Sequence, residues 1–277
     1  MPIYKNRKPM QADAEVRHYT SLEAVVSMLR TGQLRMTRVD AFSDPFEGSV
    51  PKQTIDDQAI IINGSQAAEM MMASVAAHYP GEKFVRAPYR DRWSELTRRR
   101  RAMTRSAHAM CWAAGHESEA LWRLYCREGG PGLGLVLRTT LGKLEESLAQ
   151  HDLYVSPVHY RFYHEGPGFN DDRDALMHKR KAFEYENEVR LLTFDQAHYN
   201  ALSSSIGGYG PAPESELQKY VSLEWALSEA LDGITVSPYA SEAYEFIART
   251  ALLAVDPKAA SMLELSELSQ RRYAPLF

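Results

Sequence analysis

The chain has 277 residues, of which 44% are hydrophobic and 25% charged, with a formal net charge of -4 and a pI near 6.2. That composition supports a sizeable core in one large domain or two small ones, and it excludes a globally basic nucleic-acid binder. Cys111 and Cys126 lack C-x-x-C spacing, which speaks against a disulfide framework and a thiolate zinc site. Apolar runs such as Met70 to Ala73 are too short to span a bilayer, and Lys5, Arg7 and Lys8 are followed by polar residues, unlike a secretory signal. A protein of the reducing cytoplasm, with no membrane partner, is expected.

In chain order, a strand ending near Tyr19 runs directly into a helix, with Thr20 and Glu23 at capping-box spacing and Gly32 where a left-handed cap would end it. Gln33 to Thr37 reads as a strand and Asp40 to Glu47 as a turn, since Pro45 disfavours helix at the residue before it. Residues from about 55 to 105 read as a mostly helical, basic insert. Strands are expected over Ala107 to Ala113, Gly132 to Arg138, Leu153 to Tyr160 and Glu186 to Phe194, with helices over Ser118 to Arg127 and Thr140 to Ala149. Ser203 to Pro213, rich in Gly, Pro and Ser, reads as a surface loop. Strands near 219–223, 233–238 and 262–265 and a helix over Glu242 to Leu253 complete the chain. Helices and strands mix without a regular βαβ rhythm or a linker, so the expectation is one α+β domain over residues 1–277.

Three patterns carry chemistry. In Glu186-Asn-Glu-Val-Arg190, two-residue spacing on a strand sends Glu186, Glu188 and Arg190 to one face, where the arginine would keep a carboxylate ionised and aimed. His18 sits at a strand-to-helix corner, a place that can turn a ring into a cleft. Arg98, Arg99, Arg100 and Arg101 follow one another in the basic insert, so they spread over more than half a helix and must meet solvent or an anionic partner such as nucleic acid or an acidic protein. Trp122 and Tyr125 share a helix face and read either as core or as an aromatic wall for a flat ring. Walker loops, H-E-x-x-H and G-x-S-x-G are absent, and Gly132-Leu-Gly134 is not a dinucleotide fingerprint.

The ordered set His18-Tyr-Thr-Ser, Gly32-Gln-Leu34, Phe42-Ser-Asp-Pro-Phe-Glu47, Ala120-Leu-Trp-Arg-Leu-Tyr125 and Glu186-Asn-Glu-Val-Arg190 resembles the bacterial family catalogued as domain of unknown function 2971, from about Glu15 to Tyr273. This chain departs from the family's pattern at Ser43, at Val189 and in the basic insert. The opening histidine corner and the late Glu-x-Glu carry a remoter resemblance to ADP-ribosyltransferase-like folds. That resemblance implies two small packed, mostly antiparallel sheets flanked by helices, with NAD as substrate in the cleft between them and no metal. It implies that His18 and Thr20 hold a ribose, that Glu188 is the catalytic carboxylate and Glu186 orients the acceptor, and that Trp122 or Tyr125 stacks on the nicotinamide. Arg190 would keep Glu188 ionised. A toxin or phage-defence factor is one role such an enzyme would fill.

The residues leave two other classes open. In a metal-dependent nuclease, Asp44, Glu47, Glu186 and Glu188 would hold magnesium while the arginines grip a phosphate backbone. In a non-catalytic module the same cleft would bind a nucleotide or nucleic acid and the carboxylates would only maintain structure.

Overall fold

The computed structural model describes residues 10–49, 99–127, 129–162, 172–204 and 218–271. The chain opens with β1 (Glu15–Thr20), helix α1 (Leu22–Thr31) and β2 (Gln33–Arg38). Ser21, not Thr20, caps α1: its side chain accepts from the Ala24 amide at 3.1 Å, because β1 continues through Thr20 and the turn falls one residue later than the capping-box spacing suggests. Gly32 takes φ +64°, as the left-handed C-cap requires. Ser21→Ala is expected to cost about 1 kcal/mol in urea unfolding, the usual loss of an N-cap. A change below the resolution of the titration would mean that sheet packing alone fixes the corner.

β3 (Ala107–Ala114) is the axis of the architecture. One edge pairs along almost its whole length with β8 (Glu188–Phe194), from Ala107↔Phe194 to Ala113↔Glu188. The other edge is shared. Its C-terminal end pairs with β1 (Arg17↔Ala113) and its N-terminal end with β2 (Thr37↔Ala109), so Met110, Cys111 and Trp112 lie in the fork where β1 and β2 diverge.

Beyond β1 the sheet continues through β4 (Leu135–Thr140), β10 (Gly233–Val236) and β11 (Leu263–Leu265). Beyond β2 it ends at β9 (Tyr220–Glu224), and β5 (Tyr154–Pro157) flanks β8. All of these pairings are antiparallel except β10 with β11. A parallel pair, β6 (His159–Arg161) with β7 (His178–Arg180), stands apart. The class is α+β. The two separate small sheets of the expectation are instead one nine-stranded sheet, because the eight residues of β3 are long enough to bond β1 at one end and β2 at the other.

Alternation along the strands sorts the two faces. Met110, Trp112, Val189 and Leu191 point into the main core, which α1 and the helices Leu141–Ser147 and Glu242–Val255 cover with Val25, Met28, Leu144, Ala248 and Leu252. On the opposite face, Ala107, Ala109 and Leu192 join one small apolar cluster, and Ala113 joins another with Tyr19, Leu121 and Trp122. Between those two clusters the face is polar, and there Cys111, Glu188 and Arg190 stand.

Gly134 permits β4 to approach β1 closely, since a Cβ there would lie 2.5 Å from the Thr20 carbonyl oxygen. Two elements differ from the sequence reading. Leu153 to Tyr160 is broken into β5 and β6, and a helix, Gln196–Ser204, precedes the expected surface loop, most of which lies outside the described residues. The basic insert is described only over 99–105, where it is helical, and no described helix is long and apolar enough to cross a membrane.

Candidate functional site

The fork in the sheet opens as a cleft of about 740 Å³, within the roughly 300–1,000 Å³ of small-molecule sites. Its walls come from β1 (Arg17 to Thr20), the start of α1, β2 (Gln33, Arg35, Thr37), the middle of β3, the helix Glu119–Tyr125 and the turn before β8. His18, Thr20, Tyr125, Glu186 and Glu188 all line it.

The imidazole fills the gap between the diverging strands. His18 Nδ1 lies 2.8 Å from the carbonyl oxygen of Cys111, which can only accept, so Nδ1 carries the proton and Nε2 is left as an acceptor. Burial, only partly offset by that hydrogen bond, lowers the His18 pKa to about 4. The neutral ring suits a hydroxyl donor rather than a phosphate. NMR of the imidazole is expected to show a midpoint near 4, and fold stability should fall as the pH drops from 6.5 toward 4, where only the unfolded chain takes up this proton. A midpoint near 6.5 would place the ring in water.

Glu188 stands at the base of the cleft, 4% exposed. Its Oε1 accepts from Arg190 Nε at 2.7 Å and its Oε2 from Lys179 Nζ at 3.2 Å, while the backbone N–H donates to the Tyr160 hydroxyl at 2.7 Å. Burial pushes its pKa up, but Arg190 and then Lys179 outweigh that and hold it at about 2. The Cys111 thiol donates to the same carboxylate, and burial together with that negative neighbour drives the thiol pKa well upward. Cys111 thus touches both predicted partners, His18 through its carbonyl and Glu188 through its thiol.

Arg190 is fully buried beneath Glu188 and does not line the cleft. Its other nitrogens bond Glu47 at 3.1 and 3.2 Å, along with the Leu176 carbonyl. Arg190 therefore positions Glu188 and does not itself meet a ligand, because its strand register sends it under the carboxylate and away from the opening. Burial raises the Glu47 pKa and Arg190 opposes the rise.

Glu186 is not on the strand. It ends a 3-10 turn, Lys181–Glu186, and Asn187 follows in the left-handed region at φ +41°, with its side-chain amide donating to the Ala114 carbonyl at 2.7 Å. That turn, rather than strand alternation, brings Glu186 beside Glu188. Its Oε1 accepts from the Tyr125 hydroxyl at 2.7 Å and its Oε2 from Lys179 Nζ.

Trp122 is corrected. It is wholly buried, edge-on to Tyr19, with its indole N–H donating to Glu117 at 2.6 Å, and it belongs to the core rather than to the cleft wall. One turn on, Tyr125 is half exposed and does line the cleft. The arginine run is corrected as well. Arg98 lies outside the described residues, and Arg99 and Arg101 are exposed, but Arg100 donates to the Glu47 carbonyl at 3.0 Å and to the Pro45 carbonyl. Arg105 is buried against Asp40. Part of the basic helix therefore anchors the 40–48 loop that carries Glu47.

Lys179 and Glu47 are what the sequence reading missed, Glu47 having been considered only as a metal ligand. Three buried carboxylates demand nearby cations, and Arg190 alone does not suffice, but nothing local pointed to a lysine on β7. Asp44, Glu47, Glu186 and Glu188 do not form a magnesium cradle. Asp44 holds Arg180 at 2.8 Å, Glu47 holds Arg190, and Lys179 lies between Glu186 and Glu188. Among the described residues no group of three His, Cys, Asp or Glu is arranged to hold a metal ion. Comparison with protein-family models, curated proteins and solved structures finds no match for this chain.

Proposed function

We propose that the cleft binds NAD and that Glu188 promotes cleavage of the nicotinamide–ribose bond, making the protein an ADP-ribosyltransferase or NAD glycohydrolase, as the remoter resemblance to ADP-ribosyltransferase-like folds implies. The observation that carries this reading is one carboxylate held ionised at the base of a cleft that it shares with a neutral histidine, His18. Cleavage passes through an oxocarbenium-like species, and a fixed negative charge at the ribose stabilises that species without reorganising. His18 Nε2 accepts a ribose hydroxyl, Thr20 lies beside it, and Tyr125 offers a half-exposed ring for the nicotinamide. Arg101, exposed on the described end of the basic helix, is where an acidic target would be recruited.

A catalytically silent nucleotide-binding module is the second reading, favoured by the engagement of both Glu188 oxygens within the protein. Thermal-shift titration with NAD, run beside an assay of nicotinamide release, separates the two. Stabilisation with release supports the enzyme and stabilisation without release supports the module; no response to NAD removes the enzyme, and no response to ADP-ribose and oligonucleotides either removes the module.

A further inference from the structure

The cations that line the cleft fall into two kinds. Arg17 is held by Glu15 and the Gly115 carbonyl, and Lys179 by Glu186 and Glu188. Arg35 and Arg127 also line it, both are exposed, and neither has an acid partner among the described residues. Alternation along β2 puts Gln33, Arg35 and Thr37 on the cleft side, and Ser222, the cross-strand neighbour of Arg35 on β9, lines the cleft as well. The Arg35 guanidinium carbon lies 4.6 Å from the centre of the Tyr220 ring, so one face is stacked while the N–H donors in its plane stay open. Arg127 follows the helix Glu119–Tyr125, next to Cys126, whose thiol rests against the Thr20 carbonyl at the end of β1. One uncommitted arginine therefore stands on each wall of the fork.

The lining acids gather elsewhere. Asp44, Glu47, Glu186 and Glu188 belong to the base and its ion pairs, and only Glu23, on the first turn of α1, stands apart from them. Glu224, one pair further along β9 from Ser222, does not line the cleft. A carboxylate ligand would satisfy one arginine fork, whereas a diphosphate offers charge and acceptor oxygens to both. We infer that the exposed side of the fork is an anion subsite that takes the diphosphate of a nucleotide through Arg35 and Arg127, with Thr37 and Ser222 as neutral donors beside Arg35. Combined with the NAD reading, on which it rests only for the remainder of the ligand, this sets the ligand's direction: diphosphate between the arginines, nicotinamide ribose toward the carboxylate at the base.

Calorimetric titration of the full chain with ADP, adenosine and inorganic pyrophosphate tests the subsite. ADP is expected to bind about tenfold or more tighter than adenosine, to weaken as salt rises, and to be displaced by pyrophosphate. Arg35→Gln and Arg127→Gln should each weaken ADP by about tenfold, the loss of one charged hydrogen-bonding group, and leave adenosine unchanged. Arg123→Gln removes an exposed arginine that is paired with Glu119 and does not line the cleft, so ADP should bind it as before. Equal affinity for ADP and adenosine, native ADP binding by either cleft variant, or an equal loss in Arg123→Gln overturns the inference. Where nicotinamide release is measurable, the two cleft variants should raise KM for NAD and spare kcat, and the reverse pattern overturns it too. If NAD is never cleaved while the ADP results hold, the NAD reading falls and the subsite stands; if ADP fails to bind, the subsite falls whether or not NAD is cleaved.

Discussion

Replacing Arg190 by methionine is expected to cost about 3–5 kcal/mol of folding stability at pH 7, the usual loss when one partner of a buried ionic network is removed. The guanidinium bonds Glu188 on one side and Glu47 on the other, and all three are almost wholly buried. The pH dependence identifies the cause. In the native protein, Glu188 has its pKa depressed from 4.5 to about 2, so its contribution is present above pH 4.5 and is lost as the pH falls toward 2. That shift corresponds to stability on the order of 3 kcal/mol. In Arg190→Met, burial is no longer opposed by the guanidinium, the folded carboxyls bind protons above the unfolded pKa, and the deficit should shrink as the pH falls from 7 toward 4.5. Urea unfolding at pH 7, 5 and 3 measures both curves. A deficit independent of pH would mean that Arg190 matters for its packing volume alone. The triple replacement Glu47→Gln, Glu188→Gln, Arg190→Met is expected to be more stable than Arg190→Met by itself, because no buried charge is then left facing the vacated position.

The second large effect concerns activity. Glu188→Gln keeps the shape of the side chain and removes the negative charge that faces the cleft, so nicotinamide release should fall by about 10²–10³-fold, the usual loss of a preorganised electrostatic stabiliser. Binding should suffer far less, since the charge matters most when the ribose becomes cationic, and the effect therefore belongs in kcat rather than in KM. The thermal shift produced by NAD on the variant reports whether the cleft is intact. Turnover at the native rate in a folded Glu188→Gln would remove this carboxylate from the mechanism. Cys111→Ala offers a milder comparison, because it withdraws one donor from the same carboxylate and leaves Arg190 and Lys179 in place.

Much of the fold was legible because its signals are local. The helix following His18 was marked by the turn that starts it and the glycine that ends it, and β3 and β4 by short apolar runs. The cap was misplaced by one residue, since Thr20 and Ser21 are both competent caps and only the length of β1 chooses between them. Trp122 and Tyr125 share a helix face in the sequence, yet one is core and the other lines the cleft, because the helix packs its start against Tyr19 and leaves its last turn at the opening. The reading of Glu186 and Glu188 as neighbours held for a different reason, the left-handed Asn187.

By itself the sequence determined the α+β class, the order of most elements and the presence of an arginine beside a late acid, all of which depend on residues within a few positions of one another. Tertiary structure alone decided that β1 and β2 share one edge of β3 and open a cleft, that Glu47 reaches Arg190 across 143 positions, and that Lys179 stands between two glutamates. Charge pairing over such separations leaves no periodic trace in a chain. It is selected only when strands are brought into register and each buried ion must find its counter-ion in space.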